Sequence, residues 1–222
     1  MSGKVTKDQW KSSLNHFKDH RASYLTEETL KRGKVLLEEF VKFTEPSGAV
    51  LDIGCGSADY GRFCRFKDYV GVDPIAHRTT EFPFVQGVGE HLPFKNGTFD
   101  CVVTMATLDH CLDPAQVLAE LRRVLKENGR LFVWMQVIRT DARFKTRRML
   151  HYLKTLDFRS LAGSLGANID ALIREDEDIK NYGHVHSFTE RSLIDLVSDT
   201  FEVAKTEWRN QSVFIVAGRR FH

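Results

Sequence analysis

A cluster of glycines and acidic residues near position 55 has residue types and spacing suited to ligand binding. The stretch LDIGCGSADYG, residues 51–61, places glycines at positions 54, 56 and 61 after a short apolar run. Glycine lets the backbone pass close to a ligand and adopt positive φ. The dinucleotide fingerprint GxGxxG requires a further glycine where this chain has Asp59. The spacing therefore argues against an NAD(P)-dependent oxidoreductase.

Acidic residues beside this loop indicate the charge of its ligand. Asp52 precedes the glycines, and Asp73 ends the next apolar stretch, YVGVD. A diphosphate favours amide groups without a nearby anion, whereas carboxylates suit a cationic ligand. A carboxylate at the end of a second strand can accept hydrogen bonds from the hydroxyls of a ribose. S-adenosylmethionine combines a ribose with a sulfonium and an ammonium group, so these residues favour it as the ligand.

The surrounding pattern predicts an α/β sheet that holds these residues at one edge. Apolar strand-like stretches alternate with helical segments, and they lie at residues 49–53, 69–73, 84–87, 99–105 and 130–137. This alternation predicts parallel strands covered on both faces. Two further stretches, at 201–209 and 211–220, follow each other almost directly and predict an antiparallel hairpin. The glycines and Asp73 then lie at the carboxyl ends of strands, where open α/β sheets bind ligands.

One helix of this sheet has clear start and stop signals. Asp113 is a good N-cap, Pro114 suits the first helical position, and Gln116 has capping-box spacing. Glycine commonly follows the end of a helix, so the pattern predicts that this helix ends at Gly129.

Two helical regions are predicted outside the sheet, within a single domain of residues 1–222. Residues 1–45 form an N-terminal helical cap, which either pads the sheet or covers the cofactor. Residues 139–182 form a helical insertion or lid after the fifth strand. Its first part, 139–159, carries seven Lys or Arg against two Asp. This segment is either a solvated surface or a lid whose Arg147 binds an acidic group of the substrate.

Composition limits the remaining classes of protein. The chain has 222 residues and a formal net charge of +2, which does not call for a nucleic-acid partner. It shows no signal-peptide core and no apolar run long enough for a membrane span. Its cysteines have no CxxC spacing, and we predict no metal site. We expect a cytoplasmic protein with reduced thiols; the oligomeric state stays open.

Four stretches resemble, in order and spacing, the motifs of the class I S-adenosylmethionine-dependent methyltransferases. They are VLDIGCGSADYG, VGVDP, VQGVGEHLPFKNGTFDCVVT and LDHCLDPAQVLAELRRVLKENGRLFV. The likeness is greatest to the type 11 group, which methylates small molecules, quinones, sugars and lipids. HVHSFTERSLIDLV, residues 184–197, is similar to that group's late segment. The resemblance implies a Rossmann-like, mostly parallel seven-stranded sheet that ends in an antiparallel hairpin.

The resemblance also assigns residues to S-adenosylmethionine. It implies a methionine cradle at the glycine loop, a ribose contact after the second strand, an adenine border, and a residue near the sulfonium. In chain order these residues are Asp52, Gly54, Cys55, Gly56, Asp73, Pro74, Gly89, Glu90, His91 and Met105. Val88 stands where the family often has an acidic residue, so adenine recognition would rely on backbone groups and Glu90. The connection after Asp73 is too short for a full helix.

Three histidines are candidates for the acceptor side. His110 follows the fourth strand and is a candidate base, because imidazole titrates near neutral pH; the alternative is a loop histidine bonded to backbone. His184 and His186 are candidates for substrate contact. We predict in-line transfer of a methyl group to a small molecule, at oxygen rather than nitrogen. The alternatives are an RNA or protein methyltransferase that uses residues 139–159, and a non-catalytic cofactor-binding regulatory subunit.

Overall fold

The computed structural model describes seven ranges of the chain, and every structural statement below concerns those residues. They are 5–24, 27–56, 59–64, 68–75, 82–137, 184–209 and 212–219. The predicted insertion at 139–182, including Arg147, lies outside the described residues. So does most of the connection that follows Asp73, at 76–81.

Seven strands form one mixed sheet. They are β1 Val50–Ile53, β2 Tyr69–Asp73, β3 Phe84–Gln86, β4 Phe99–Met105, β5 Leu125–Gln136, β6 Phe201–Arg209 and β7 Ser212–Arg219. Their order in the sheet is β3-β2-β1-β4-β5-β7-β6. The first five strands pair in parallel, whereas β7 lies antiparallel between β5 and β6. The predicted α/β sheet with a terminal hairpin is therefore confirmed.

Strand order reverses at β1, which lies between β2 and β4. Val50 pairs with Tyr69 on one side and with Cys101 on the other. All four residues of β1 are buried, as expected for a central parallel strand covered on both faces. The carboxyl ends of β1, β2 and β4 consequently meet at one place. This is the switch point at which open α/β sheets bind ligands, and it brings the glycine turn next to Asp73.

Five α-helices are described around this sheet. They are α1 Lys7–Tyr24, α2 Glu27–Thr44, α3 Asp59–Cys64, α4 Pro114–Val124 and α5 Glu190–Ser198. Apolar residues of α4 and α5 join one core cluster, and those of α2 and α3 join another cluster with the sheet. The prediction of helices on both faces is confirmed. Among the described residues, no helix has the length and apolar character that a bilayer crossing requires.

Helix α2 packs against the sheet through a group of aromatic rings. Phe40 is fully buried, and its ring lies 5.9, 5.7 and 5.0 Å from the rings of Tyr60, Trp134 and Phe214. Complete burial of one such side chain contributes about 1.5–3 kcal/mol. This helix of the predicted N-terminal helical region therefore covers one face of the sheet.

Helix α4 begins as predicted but ends earlier. The Asp113 carboxylate accepts a hydrogen bond from the Gln116 amide at 3.1 Å, which confirms the N-cap. The helix ends at Val124, so the predicted end at Gly129 was wrong. Leu125 is extended and pairs with Phe99, and the ladder then shifts. Pairing within the sheet therefore ends the helix before the glycine signal is reached.

Candidate active site

A cavity of about 400 Å³ lies at the switch point of the sheet. This volume is within the range of small-molecule sites, roughly 300–1,000 Å³. The ends of β1, β2 and β4 contribute to its wall, together with the loop at 87–90, helix α1 and His184. The predicted site residues that line it are Gly54, Gly56, Asp73, Pro74, Gly89, Glu90, Met105, His110 and His184. Most of the residues expected to bind S-adenosylmethionine are thus gathered around one cavity.

The turn after β1 depends on two glycines with left-handed backbone conformation. Gly54 has a φ of +70° and Gly56 a φ of +50°. The amides of Gly54 and Cys55 both donate to the Val72 carbonyl, at 2.8 and 3.2 Å, which ties the turn to β2. A Cβ on Gly54 would collide with the side chain of Thr107. Only glycine therefore satisfies both the backbone conformation and the packing at position 54.

Thr107 is a wall residue that the sequence analysis did not identify. Its hydroxyl lies within hydrogen-bonding distance of two carbonyl oxygens, 3.2 Å from that of Ile53 and 2.9 Å from that of Met105. Ala106, just before it, has a positive φ of +48°, a conformation that is strained for a residue with a side chain. The strained turn and the threonine hold the ends of β1 and β4 together at the cavity.

Asp73 connects the end of β2 to the glycine turn. Its two carboxylate oxygens accept hydrogen bonds from the amides of Gly56 at 3.0 Å and Ile75 at 2.9 Å. Each carboxylate oxygen has about two acceptor sites, so the group has the capacity for more than these two hydrogen bonds. A pre-oriented carboxylate beside a turn that excludes a side chain fits the ribose and methionine parts of S-adenosylmethionine.

Glu90 lines the cavity but also organises its wall. One carboxylate oxygen accepts hydrogen bonds from the amides of Leu112 and Asp113, at 2.8 and 3.1 Å. The Gln116 side chain donates to the Glu90 carbonyl at 3.4 Å instead of completing a capping box. Glu90 thus supplies the acceptor that a capping box would provide at the start of α4. This fixes the loop at 87–90 to that helix.

Asp52 and Cys55 were expected in the methionine cradle, but their side chains do not line the cavity. Asp52 is fully buried and accepts a hydrogen bond from the Tyr69 hydroxyl at 2.5 Å. Successive side chains of a strand point to opposite faces, so Ile53 lines the cavity and Asp52 does not. The Cys55 sulfur packs against Gly71, where a Cβ would lie within 2.6 Å. Both side chains support the turn from outside the cavity.

Two predicted histidines also lie outside the wall of the cavity. His91 is exposed at the surface, and His186 is only partly buried. Neither is among the lining residues. The structure therefore does not place His91 beside the expected adenine site or His186 beside the acceptor.

Asp109, His110 and His184 form a polar cluster at the β4 side of the cavity. Nδ1 of His184 lies 2.5 Å from the Asp109 carboxylate, and the two imidazole rings stack with centroids 4.5 Å apart. Nε2 of His110 is 4.0 Å from the other Asp109 oxygen. Burial by itself would raise the pKa of Asp109, but the hydrogen bond from His184 and the attraction of both imidazoles lower it overall. The carboxylate is therefore ionised at neutral pH.

The same three residues have the types that a divalent metal ion accepts. Their ligand atoms lie within 4.8 Å of one another, and two imidazoles with one carboxylate form a known type of transition-metal site. The alternative to a metal site is that Asp109 and His184 form a hydrogen-bonded pair without a metal ion. Asp109 was absent from the residues identified by sequence, although it directly precedes His110.

Helix α1 closes one side of the cavity. Trp10, Leu14 and Phe17 share one helix face and line the cavity. The Trp10 indole donates to the His110 carbonyl at 2.9 Å, and the Phe17 ring lies 5.3 Å from the His110 ring. Of the two roles considered for the N-terminal cap, α1 covers the cavity and α2 pads the sheet.

Comparisons with known proteins agree with this geometry. The family model described as a methyltransferase domain matches residues 51–133. Over 179 residues the chain is 28% identical to a demethylmenaquinone methyltransferase of Mycolicibacterium gilvum, covering 78% of this chain and 75% of that one. Over 101 residues it is 37% identical to an uncharacterized 37.1 kDa transposon protein of Streptomyces fradiae. That match covers 39% of this chain and spans only 29% of the relative.

A solved structure shares the fold over nearly the whole chain. It is the 1,6-didemethyltoxoflavin-N1-methyltransferase of Burkholderia thailandensis, which was determined with bound 1,6-didemethyltoxoflavin and S-adenosylhomocysteine. The TM-score is 0.64 at 13% identity, covering 97% of this chain and 91% of that one. This structural likeness supports the assignment of the fold. The matched motifs and the cavity around Asp73 support S-adenosylmethionine as the cofactor. Residues 51–133 therefore match a methyltransferase domain, and the chain shares the fold of a methyltransferase that binds S-adenosylhomocysteine.

Proposed function

We propose that this protein transfers the methyl group of S-adenosylmethionine to an oxygen atom of a small molecule bound in the same cavity. The observation that carries the proposal is the arrangement around Asp73. Its carboxylate is held by the Gly56 amide and lines the same cavity as His110 and His184. A site for the methyl donor therefore adjoins groups that can handle a proton.

The donor end is suited to bind and orient rather than to react. The glycine turn lets the methionine part approach the backbone, Asp73 accepts from the ribose hydroxyls, and the loop at 87–90 borders the adenine. S-adenosylmethionine itself supplies an activated methyl carbon. The protein then needs to align the acceptor and exclude water, which its largely apolar cavity wall supports.

A small-molecule acceptor is favoured by the shape of the site and by one relative. Helix α1 closes one side of a cavity of about 400 Å³, a volume suited to a small ligand. The relative from Mycolicibacterium gilvum is named for a small-molecule substrate, demethylmenaquinone. Oxygen is favoured over nitrogen because a hydroxyl requires removal of a proton, and imidazole groups lie at the cavity.

An RNA acceptor is the second candidate, and the seven basic residues at 139–159 carry it. They lie outside the described residues. Binding to RNA would weaken as salt increases, and neutralising Arg147 and Arg148 would reduce it. A filter-binding assay at two salt concentrations, with the double variant Arg147→Gln/Arg148→Gln, distinguishes this candidate from the first.

Calorimetry followed by an acceptor screen tests the proposal. We expect the purified protein to bind S-adenosylmethionine and S-adenosylhomocysteine but not NAD. Incubation with methyl-labelled S-adenosylmethionine and a panel of small hydroxyl and amine compounds should then label hydroxyl compounds. Failure to bind either ligand would contradict the cofactor, and labelling of amines alone would contradict the choice of oxygen.

A further inference from the structure

We propose that His184, oriented by Asp109, removes the proton from the acceptor, and that the acceptor is an aromatic hydroxyl such as a phenol or hydroquinone. This inference rests on the methyl transfer proposed above and deepens it. It assigns the base to His184 instead of His110 and adds Asp109 as a positioning residue.

Asp109 holds the segment of His184 by both its side chain and its backbone. The carboxylate pairs with Nδ1 of His184 at 2.5 Å. The Asp109 carbonyl accepts hydrogen bonds from the amides of Val185 and His186, at 2.9 and 3.0 Å. One residue at the end of β4 thus fixes a segment that is distant in the chain. Such fixed placement is what a proton acceptor needs for a reproducible geometry at the cavity.

The pair with Asp109 determines which nitrogen of His184 can accept a proton. An ionised carboxylate can only accept hydrogen bonds, so Nδ1 of His184 must carry the hydrogen. The lone pair of the neutral imidazole is then on Nε2. The His184 ring lines the cavity and its side chain is 32% exposed.

His110 has the position of a supporting ring. It stacks on His184 on one side and contacts the Phe17 ring on the other. Its Nε2 is 4.0 Å from Asp109, beyond hydrogen-bonding distance. Asp109 therefore makes its short pairing with His184 rather than with His110. The His110 ring holds the His184 ring in place and forms part of the wall.

The class of acceptor follows from the wall and from the strength of the base. Trp10, Leu14, Phe17 and Met105 line the cavity. The rings of Trp10 and Phe17 favour a flat aromatic ligand. A phenolic hydroxyl, with a pKa of about 10, is acidic enough to lose its proton to an imidazole base. An aliphatic alcohol is far less acidic. An aromatic hydroxyl is therefore the acceptor that matches both the base and the wall.

The proposed step balances in atoms and charge. Nε2 of His184 takes the hydroxyl proton, and the acceptor oxygen forms a bond to the methyl carbon. The bond between that carbon and sulfur breaks, and its electron pair stays on sulfur, which becomes neutral. The imidazolium then releases its proton to water. The products are a methyl ether, S-adenosylhomocysteine and one proton.

The first experiment needs neither donor nor acceptor. Long-range ¹H–¹⁵N NMR of the free protein, at a pH where His184 is neutral, reports which ring nitrogen carries the hydrogen. We expect the hydrogen on Nδ1 in the wild type and a shift toward Nε2 in Asp109→Asn. Hydrogen on Nε2 in the wild type, or no change in the folded variant, would overturn the role of Asp109.

The second experiment measures methyl transfer to phenol and to 4-nitrophenol at mildly alkaline pH, where only 4-nitrophenol is largely ionised. General base catalysis contributes about 10²–10⁴-fold, so His184→Ala should lower kcat for phenol by that factor. The loss for 4-nitrophenol should be less than about 10-fold, since that acceptor needs no base. His16→Ala, on α1 but outside the cavity lining, is the matched control and should leave both rates unchanged.

Other outcomes of this experiment would overturn the inference. Equal losses for both phenols would exclude a base role for His184, and a selective loss in His110→Ala alone would assign the base to His110. Loss of activity with EDTA and recovery with a divalent metal would assign the cluster to metal binding. Binding of S-adenosylmethionine without methylation of either phenol would overturn the inference alone. Absence of that binding would contradict the proposed function as well.

Discussion

The two ends of the cavity are built in different ways. At the proposed donor end, Gly54, Gly56 and Asp73 come from two adjacent strand ends, and their contacts are mainly hydrogen bonds of the backbone. At the proposed acceptor end, α1, the turn after β4 and the segment of His184 meet through side chains. The proposed donor end therefore depends on two neighbouring strand ends, whereas the proposed acceptor end depends on segments that are distant in the chain.

Replacement of Asp73 should produce the largest effect and tests the donor end. Asp73→Ala removes the acceptor for both ribose hydroxyls and releases the Gly56 amide. Two hydrogen bonds to a charged group contribute roughly 3 kcal/mol or more, so affinity for S-adenosylmethionine should fall about 100-fold or more. Calorimetry measures this change. The control is Asp68→Ala. Asp68 is exposed and directly precedes β2, so this variant should bind S-adenosylmethionine normally.

A pair of glycine substitutions separates packing at the donor end from backbone strain alone. Gly54 and Gly97 both have positive φ, but only Gly54 would place a Cβ against Thr107, whereas Gly97 faces open space. Gly97→Ala should cost about 1–2 kcal/mol of unfolding free energy from backbone strain. Gly54→Ala should cost more and should also weaken cofactor binding. Denaturant unfolding and calorimetry test both, and equal losses in the two variants would contradict the packing role.

Asp109, at the acceptor end, should make the free energy of unfolding depend on pH in the acid range. The pKa of Asp109 is lowered in the folded protein, so the group stabilises the fold above its ordinary pKa of about 3.9. That stabilisation is lost as pH falls through the lowered pKa. At neutral pH, Asp109→Asn should be less stable by about 1–3 kcal/mol, and the difference should shrink in acid. Urea unfolding across the acid range measures it; a difference independent of pH would contradict the assignment.

The smallest effect concerns the contact between α1 and the acceptor end. Trp10→Phe keeps an aromatic ring but loses the hydrogen bond to the His110 carbonyl, a contribution of about 1 kcal/mol. We expect KM for the acceptor to rise several-fold while cofactor affinity is unchanged. Trp208→Phe loses a comparable bond, to Glu190, away from the cavity. A similar rise in KM in both variants would show that α1 has no specific role there.

Predictions from the sequence were most accurate for site residues that lie in short motifs at the ends of strands. The glycine turn and Asp73 lie at the ends of strands that apolar patterns predicted, and the family resemblance assigned Gly89 and Glu90 to the same ligand. Asp52 was assigned through its motif, but the alternation of side chains along β1 turns it toward Tyr69. Helix α4 was extended to Gly129 because a glycine signal cannot reveal that Leu125 pairs with Phe99.

The acceptor end was the least predictable part of the site. Trp10, Leu14 and Phe17 have the spacing of one helix face, but that spacing does not say which surface the face covers. Asp109 stood beside His110 in the sequence, yet its partner His184 is far away in the chain. No spacing rule connects those two residues.

The sequence by itself determined the strands, the order of the cofactor motifs and the chemical class of the donor, because each depends on residues close together in the chain. The tertiary structure decided which helix covers the cavity, which carboxylates face it and which histidine pairs with Asp109. These features depend on contacts between distant segments, and packing and hydrogen bonding determine such contacts only when the sheet has formed.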